Sequence, residues 1–179
     1  MGYIGSFTIS NGLFTMLNAA KIVSDRGLKN VVFILVGKGE IEKSLRDKCK
    51  EYGLKNVVFL SPVKKNQVRD FLLNIDIAYK GMIKSPMYSF GMSSYKLLDY
   101  MAAGIPIIHS VDEAANDVVK EANCGFFIPA EDPIALADIV MKVSKISKSE
   151  LRQLGINGRR WVEKYYTYKS LAEKYEKLF

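Results

Sequence analysis

One histidine and two cysteines among 179 residues remove several chemistries before any motif is considered. A metal cage built from several imidazoles has no ligands to draw on, and a Ser-His-Asp relay has only His109, which closes an apolar run and reads as structural. Cys49 and Cys124 lie far apart, with neither the paired spacing of a zinc site nor the density of a disulfide scaffold; a reduced, cytoplasmic setting follows. No apolar run approaches the ~20 residues that span a bilayer. Residues 1–4 lack a charged leader ahead of an apolar core. Five prolines and thirteen glycines are scattered, so no linker or low-complexity tract divides the chain. The phosphate loop Gly-x4-Gly-Lys-Ser/Thr is missing too, which sets aside the commonest ATPase and GTPase chemistry.

What is present describes an ordinary soluble protein: 49% apolar and 25% charged residues, enough chain for one domain with a real core. Lysine and arginine outnumber aspartate and glutamate by 26 to 19, a net charge of +7 that favours anionic partners: phosphates, nucleic acid or an acidic membrane surface. The lysines are dispersed and form no nucleic-acid-binding motif, so nucleic acid is not an expected partner.

The heptapeptide Gly-Leu-Lys-Asn-Val-Val-Phe occurs twice, at 27–33 and 53–59. Each copy has glycine where a helix would end and β-branched residues where a strand would start. Before the first copy, Leu13, Met16, Leu17, Ala20 and Val23 form a helical apolar stripe; before the second, Ile41, Leu45 and Cys49 recur every four residues. Further strands are predicted over 3–6, 75–79, 105–109 and 125–129, with helices near 64–74, 94–103, 113–122 and 132–146. Strands separated by helix-length segments predict an α/β fold, a parallel sheet of about six strands with helices on both faces. From about 148 the strand-like runs stop, and Trp161, Tyr165, Leu171, Tyr175 and Leu178 predict two closing helices, packed on the domain or on a surface outside it. Residues 1–179 read as a single domain.

Three stretches could carry chemistry. Residues 36–45, Val-Gly-Lys-Gly-Glu-Ile-Glu-Lys-Ser-Leu, follow a strand and open a helix as a dinucleotide fingerprint does, but Glu42 stands at the third glycine; a plain strand-to-helix turn also fits. Residues 5–12 run Gly-Ser-Phe-Thr-Ile-Ser-Asn-Gly, where Gly5 and Ser6 would let backbone approach a ligand at the sheet's carboxyl edge; Ser10 or Asn11 as a helix N-cap fits equally. The third is 90–108, Phe-Gly-Met-Ser-Ser-Tyr-Lys-Leu-Leu-Asp-Tyr-Met-Ala-Ala-Gly-Ile-Pro-Ile-Ile. Ser93 or Ser94 suits an N-cap and Gly104 a stop, so a helix is predicted from about 95 to 103. A cation in its first turn, Lys96, is unfavourable by about 0.3–1 kcal/mol unless an anion binds there. Gly91, Met92 and Ser93 offer backbone N–H groups for such a phosphate, with Lys96 a charge-assisted second contact. Asp99 lies ~7 Å along the axis from Ser94, comparable with the reach from diphosphate to ribose hydroxyls. Alternatively Lys96 and Asp99 form an exposed i,i+3 ion pair worth about 0.2–0.5 kcal/mol.

Together, the stretches 33–78, 96–108 ("KLLDYMAAGIPII"), 123–140 ("NCGFFIPAEDPIALADIV") and 159–179 resemble, in this order, the C-terminal nucleotide-sugar-binding domain of retaining GT-B glycosyltransferases, family four, group 1 type. The resemblance implies a Rossmann-like half of a GT-B fold, with an N-terminal acceptor domain expected ahead of residue 1. Such enzymes carry two glutamates eight positions apart. Asp99 matches the second, the ribose ligand, and Gly91 stands at the first, so that sugar contacts fall to the amides of Gly91, Met92 and Ser93. A basic pair in the family's first loop falls at Ser6 and Asn11, neither cationic; Lys80, Lys84 and Lys96 are the substitutes, with Lys96 the candidate catalytic group stabilising the departing diphosphate. The base would pack near Pro62 and Val63.

The resemblance further implies transfer of a sugar from a nucleotide diphosphosugar, UDP-linked by preference, to a glycan or lipid-linked acceptor in surface-polysaccharide assembly. No metal or other cofactor is expected, and the positive charge suits peripheral contact with the inner face of the plasma membrane. A GT-B-like nucleotide-sugar epimerase half is the rival enzyme, opposed by the single histidine, and a non-catalytic binding module the third alternative.

Overall fold

The two copies of the repeated heptapeptide enter the sheet out of step. In the first, strand β2 (Phe33–Val36) begins on the last residue of the repeat; in the second, β3 (Val57–Leu60) begins two residues earlier within it. Phe33 pairs with Val57 and Leu35 with Phe59, so the slip is an even number of residues and every side chain keeps its face. The glycines behave alike: Gly27 and Gly53, at φ 78° and 61°, end the turns after α1 (Leu13–Asp25) and α2 (Glu42–Glu51).

The computed structural model describes residues 1–86, 88, 95–112 and 118–176, the side chains of Lys169, Glu173 and Lys174 excepted. Four more strands, β1 (Gly2–Ile4), β4 (Ala78–Gly81), β5 (Ile107–Val111) and β6 (Gly125–Pro129), complete a parallel sheet of order β3-β2-β1-β4-β5-β6. The remaining helices are α3 (Val68–Leu73), α4 (Tyr95–Ala102), α5 (Val118–Glu121), α6 (Pro133–Val143), α7 (Lys148–Tyr165) and α8 (Tyr168–Glu176). The six-stranded, doubly covered α/β architecture predicted from the sequence is the one observed. β1 is one residue early and short because Gly5 turns away at φ 148°, and β4 and β5 run two or three residues later than predicted.

Apolar side chains divide between the two faces. Leu13, Met16, Leu17 and Ala20 of α1 and Leu136 and Val140 of α6 pack on Tyr3, Phe33, Leu35, Tyr79 and Ile108. On the other face Leu72 of α3, Leu97, Tyr100 and Met101 of α4 and Val119 of α5 pack on Ala78 and Ile107. His109 lies inside β5 and is 2% exposed, so it is held within the sheet rather than at its edge.

Helix termini are chemically specified. Ser147 and Glu150 form a reciprocal capping box at the start of α7, and the Asp132 carboxylate accepts from the Ala135 amide at 2.8 Å with Pro133 in the first turn of α6. α7 crosses the end of α4 so closely that a Cβ on Gly155 would lie 1.9 Å from the Gly104 carbonyl oxygen. Trp161 and Val162 then join the α4 side of the core, while Tyr168, Leu171 and Tyr175 along α8 stay exposed.

Candidate functional site

In a parallel sheet every carboxyl end lies on one edge, and between β1 and β4 the order reverses, so the loops that follow these strands diverge and leave a crevice. The loop after β1 is held to the loop after β2 by backbone: Gly5 donates to the Val36 carbonyl and Phe7 to that of Lys38, both at 2.9 Å. A Cβ on Gly37 would stand 1.9 Å from the Gly5 oxygen and one on Gly39 2.2 Å from the Phe7 oxygen. The Gly37-x-Gly39 spacing is thereby accounted for as close approach of two loops, the turn alternative. The loop then closes through a 3-10 turn at Ile9–Asn11, and Gly12, in the left-handed region at φ 60°, caps α1 without any side-chain cap. Neither Ser10 nor Asn11 caps that helix.

Asn11 is used otherwise. Its Nδ2 donates to the Ser6 carbonyl at 3.0 Å and to Thr8 Oγ1 at 2.7 Å, and its Oδ1 accepts from Lys96 Nζ at 3.0 Å. Lys96 also donates to Tyr3 Oη at 2.9 Å, and that hydroxyl passes its proton toward the Ser6 carbonyl at 2.7 Å. Lys96 thus starts on α4, on one face of the sheet, and reaches over the edge to a tyrosine of the opposite layer, its ammonium 5.0 Å from the ring centroid. Gly5 makes the crossing feasible, because a Cβ there would lie 2.7 Å from Lys96 Cε and Nζ. Among the described residues Lys96 has no ion pair with Asp99, so the surface-pair alternative does not hold.

Lys96 and Asp99, with Gly5, Pro62 and Val63, line one cleft of about 220 Å³, backed by Tyr100. Five residues chosen from sequence, spread from position 5 to position 99, therefore meet at one place. Asp99 is exposed at the rim, while Tyr100, 1% exposed, is fixed by two 3.3 Å hydrogen bonds with the backbone of Ile4. Two hollows of about 380 and 460 Å³ open at the amino edge, around Met1, Asp76 and Lys148. Though larger, they lie away from the switch-point loops.

The other predicted residues fall nearby with different roles. Ser6 is exposed and serves through its carbonyl. Lys80, next to last in β4, lies in register with His109 and is 5% exposed, its only hydrogen bond among the described residues running to the Gly81 carbonyl at 3.2 Å. Burial, and after it the charge of Lys96, pushes its ammonium down to about 8. Burial lowers Lys96 as well. Lys84 is exposed, its amide donating to Glu131 at 3.0 Å. Gly91, Met92, Ser93 and Ser94 lie outside the described residues. Sequence reasoning missed Tyr3 and Tyr100 as supports; a tyrosine in a buried strand and another in a buried helix face, each needing a partner for its hydroxyl, were the available signals.

A sequence model of the family described as Glycosyl transferases group 1 matches residues 1–161. The amylovoran biosynthesis glycosyltransferase AmsK of Erwinia amylovora is 22% identical over 180 residues, covering 98% of this chain and 44% of its own length. Among solved structures, S. aureus TarM in complex with fondaparinux, α-GlcNAc-glycerol and UDP aligns with a TM-score of 0.83 at 14% identity, over 99% of this chain and 34% of that one. Anabaena HepE in complex with UDP-glucose aligns with a TM-score of 0.77 at 15% identity, over 99% of this chain and 47% of that one. The chain spans about two fifths of the curated relatives it matches, 39%, 42% and 44% for three of them.

Proposed function

The chain belongs to the group 1 glycosyl transferases, and from that premise we propose that it is the donor-binding domain of a retaining enzyme that transfers a sugar from a nucleotide diphosphosugar. The donor is UDP-linked, and the acceptor is a glycan or lipid-linked glycan of a surface polysaccharide. The observation that carries this reading is the carboxyl-edge cleft, where a lysine without a carboxylate partner among the described residues and an exposed aspartate face one space. UDP in the TarM and HepE complexes and the polysaccharide named for AmsK support the donor and the product class.

Each residue has a role set by its chemistry. Lys96, prepaid in orientation by Tyr3 and Asn11, meets the diphosphate and stabilises its charge as the glycosidic bond breaks. Asp99 accepts from the ribose hydroxyls, and Pro62 and Val63 flank the base. Gly5 and Ser6 let the first loop's backbone come close to the phosphates, Lys84 supplies positive charge from its exposed loop, and the sugar is assigned to the amides of Gly91, Met92 and Ser93, which with Ser94 lie outside the described residues. Lysines and amides, rather than a metal, supply the neutralisation in this proposal. At about 220 Å³ the cleft is smaller than the ~300 Å³ usual for a complete ligand site, so it takes part of the donor and leaves the rest to an acceptor-binding domain. By itself the chain should bind nucleotide with little or no turnover. Seven lysines and arginines against two glutamates between 140 and 165 suit salt-sensitive contact with an acidic membrane surface.

The test is calorimetric titration of the chain with UDP and GDP. Lys96→Ala should weaken UDP about 10- to 100-fold, the worth of a charge-assisted hydrogen bond, and Asp99→Ala about 10-fold. Unchanged affinity in both variants would remove the site.

A further inference from the structure

Lys80 has no place in the cleft itself. It lies beneath, at the end of the central strand β4, on the sheet face covered by α4, and it is 5% exposed. A buried ammonium normally has a carboxylate or a dense set of acceptors. Here the described residues offer one carbonyl, and the charge that acts on it is that of another lysine, Lys96. Two cations close to one edge in a poorly hydrated environment repel each other, and the deeper one relieves that repulsion by giving up its proton more readily, under mildly alkaline conditions.

Resting on the donor site described above, we propose that Lys80 takes up a proton as a diphosphate enters the cleft and so becomes its second, buried cation. An incoming anion reverses the local field: what disfavoured the charged amine in the empty site favours it in the filled one. The proton comes from solvent and converts the amine to an ammonium, with no other bond made or broken. Lys80 is then a positioning residue that acts through the field and through Lys96.

The surrounding groups leave this assignment to Lys80. The titratable side chains on the elements packed around it are Tyr79 on its own strand, Tyr3 on β1, His109 on β5, and Tyr95, Lys96, Asp99 and Tyr100 on α4, of which Tyr95 is exposed. Burial raises Tyr3, Tyr79 and Tyr100, which stay neutral across the range concerned. Further out on the adjoining loops are Lys84, Asp112 and Glu131. An ammonium brought down to about 8 is partly neutral under mildly alkaline conditions, where uptake is measurable.

The experiment titrates the 179-residue chain with UDP at pH 8.5 in buffers of different ionisation enthalpy, and then follows affinity from pH 7.5 to 8.5, where the nucleotide's phosphate is already ionised and its uracil ring is largely not. Uptake of about three quarters of a proton per UDP is expected at pH 8.5, with affinity falling about threefold from pH 7.5 to 8.5. Lys80→Arg, charged throughout, should bind UDP with the uptake and most of the pH dependence gone; Lys80→Met, of similar length, should bind more weakly and also without uptake. UDP binding by the unaltered chain without proton uptake would overturn the proposal. So would uptake that persists in both variants, which would place the proton on Lys96, on His109, or on Glu113 or Asp117, the last two outside the described residues. Failure to bind UDP at pH 7.5 would instead remove the donor site and this coupling with it.

Discussion

Lys80 and Lys96 oppose the stability of the protein that holds them. Lys80 titrates in the folded chain near 8, below its ordinary value, so the unfolded chain binds more protons and stability rises with pH as the folded group deprotonates. At neutral pH most copies carry a buried, poorly compensated charge. Lys80→Met, an apolar side chain of similar reach, is expected to raise unfolding free energy at pH 7 by about 1–3 kcal/mol, the scale of replacing an uncompensated buried ion. That gain should shrink toward pH 9.5, which denaturant titration at the two pH values would measure; an equal gain at both would mean that packing rather than charge is responsible. Stability and nucleotide affinity should thus move in opposite directions in this variant, as expected where a site retains an unfavourable group for its ligand.

Among the elements, α4 and α7 depend most on missing side chains. Alanine for glycine within a helix ordinarily stabilises by roughly 0.5–1 kcal/mol. At Gly155 the new Cβ would stand 1.9 Å from the Gly104 oxygen, backbone that cannot rotate aside. Overpacking costs typically about 1–3 kcal/mol. It should therefore outweigh propensity, and Gly155→Ala is expected to lower the denaturation midpoint; a raised one would show that α7 moves freely relative to α4. This contact also marks the boundary of what sequence conveys. Periodicity and turn residues located all six strands and each of the helices α1 to α8, because they are local signals. Gly155 looked like an ordinary helix position, since only the crossing helix gives it a reason. The same holds in the site: Lys96 and Asp99 stood out as charges on an apolar helix, whereas Tyr3 and Asn11, which orient Lys96, come from a strand and a loop more than eighty positions away. Ser6, at the position of a family cation, is used through its carbonyl, which no side-chain pattern reports.

For the whole molecule, the repeated heptapeptide means that the unfolded chain carries two interchangeable labels for two neighbouring strand slots. A two-residue slip preserves faces, so an exchanged copy would turn the same side to the core and would be rejected by loop length, by the residues that follow the repeat, and by the deeper burial of the β2 slot than of the edge slot β3. An exchanged pairing would be a kinetic trap that has to be undone, and refolding is expected to show a minor slow phase. Val32 lies outside the strand at 44% exposure, and Val32→Lys would tell the copies apart at little cost to the folded protein. Stopped-flow refolding should lose the slow phase in that variant, and a single exponential in the unaltered chain would mean that the duplicate never competes. Seven identical residues placed twice thus make the order in which the sheet assembles, and not only its final pairing, something the chain must decide.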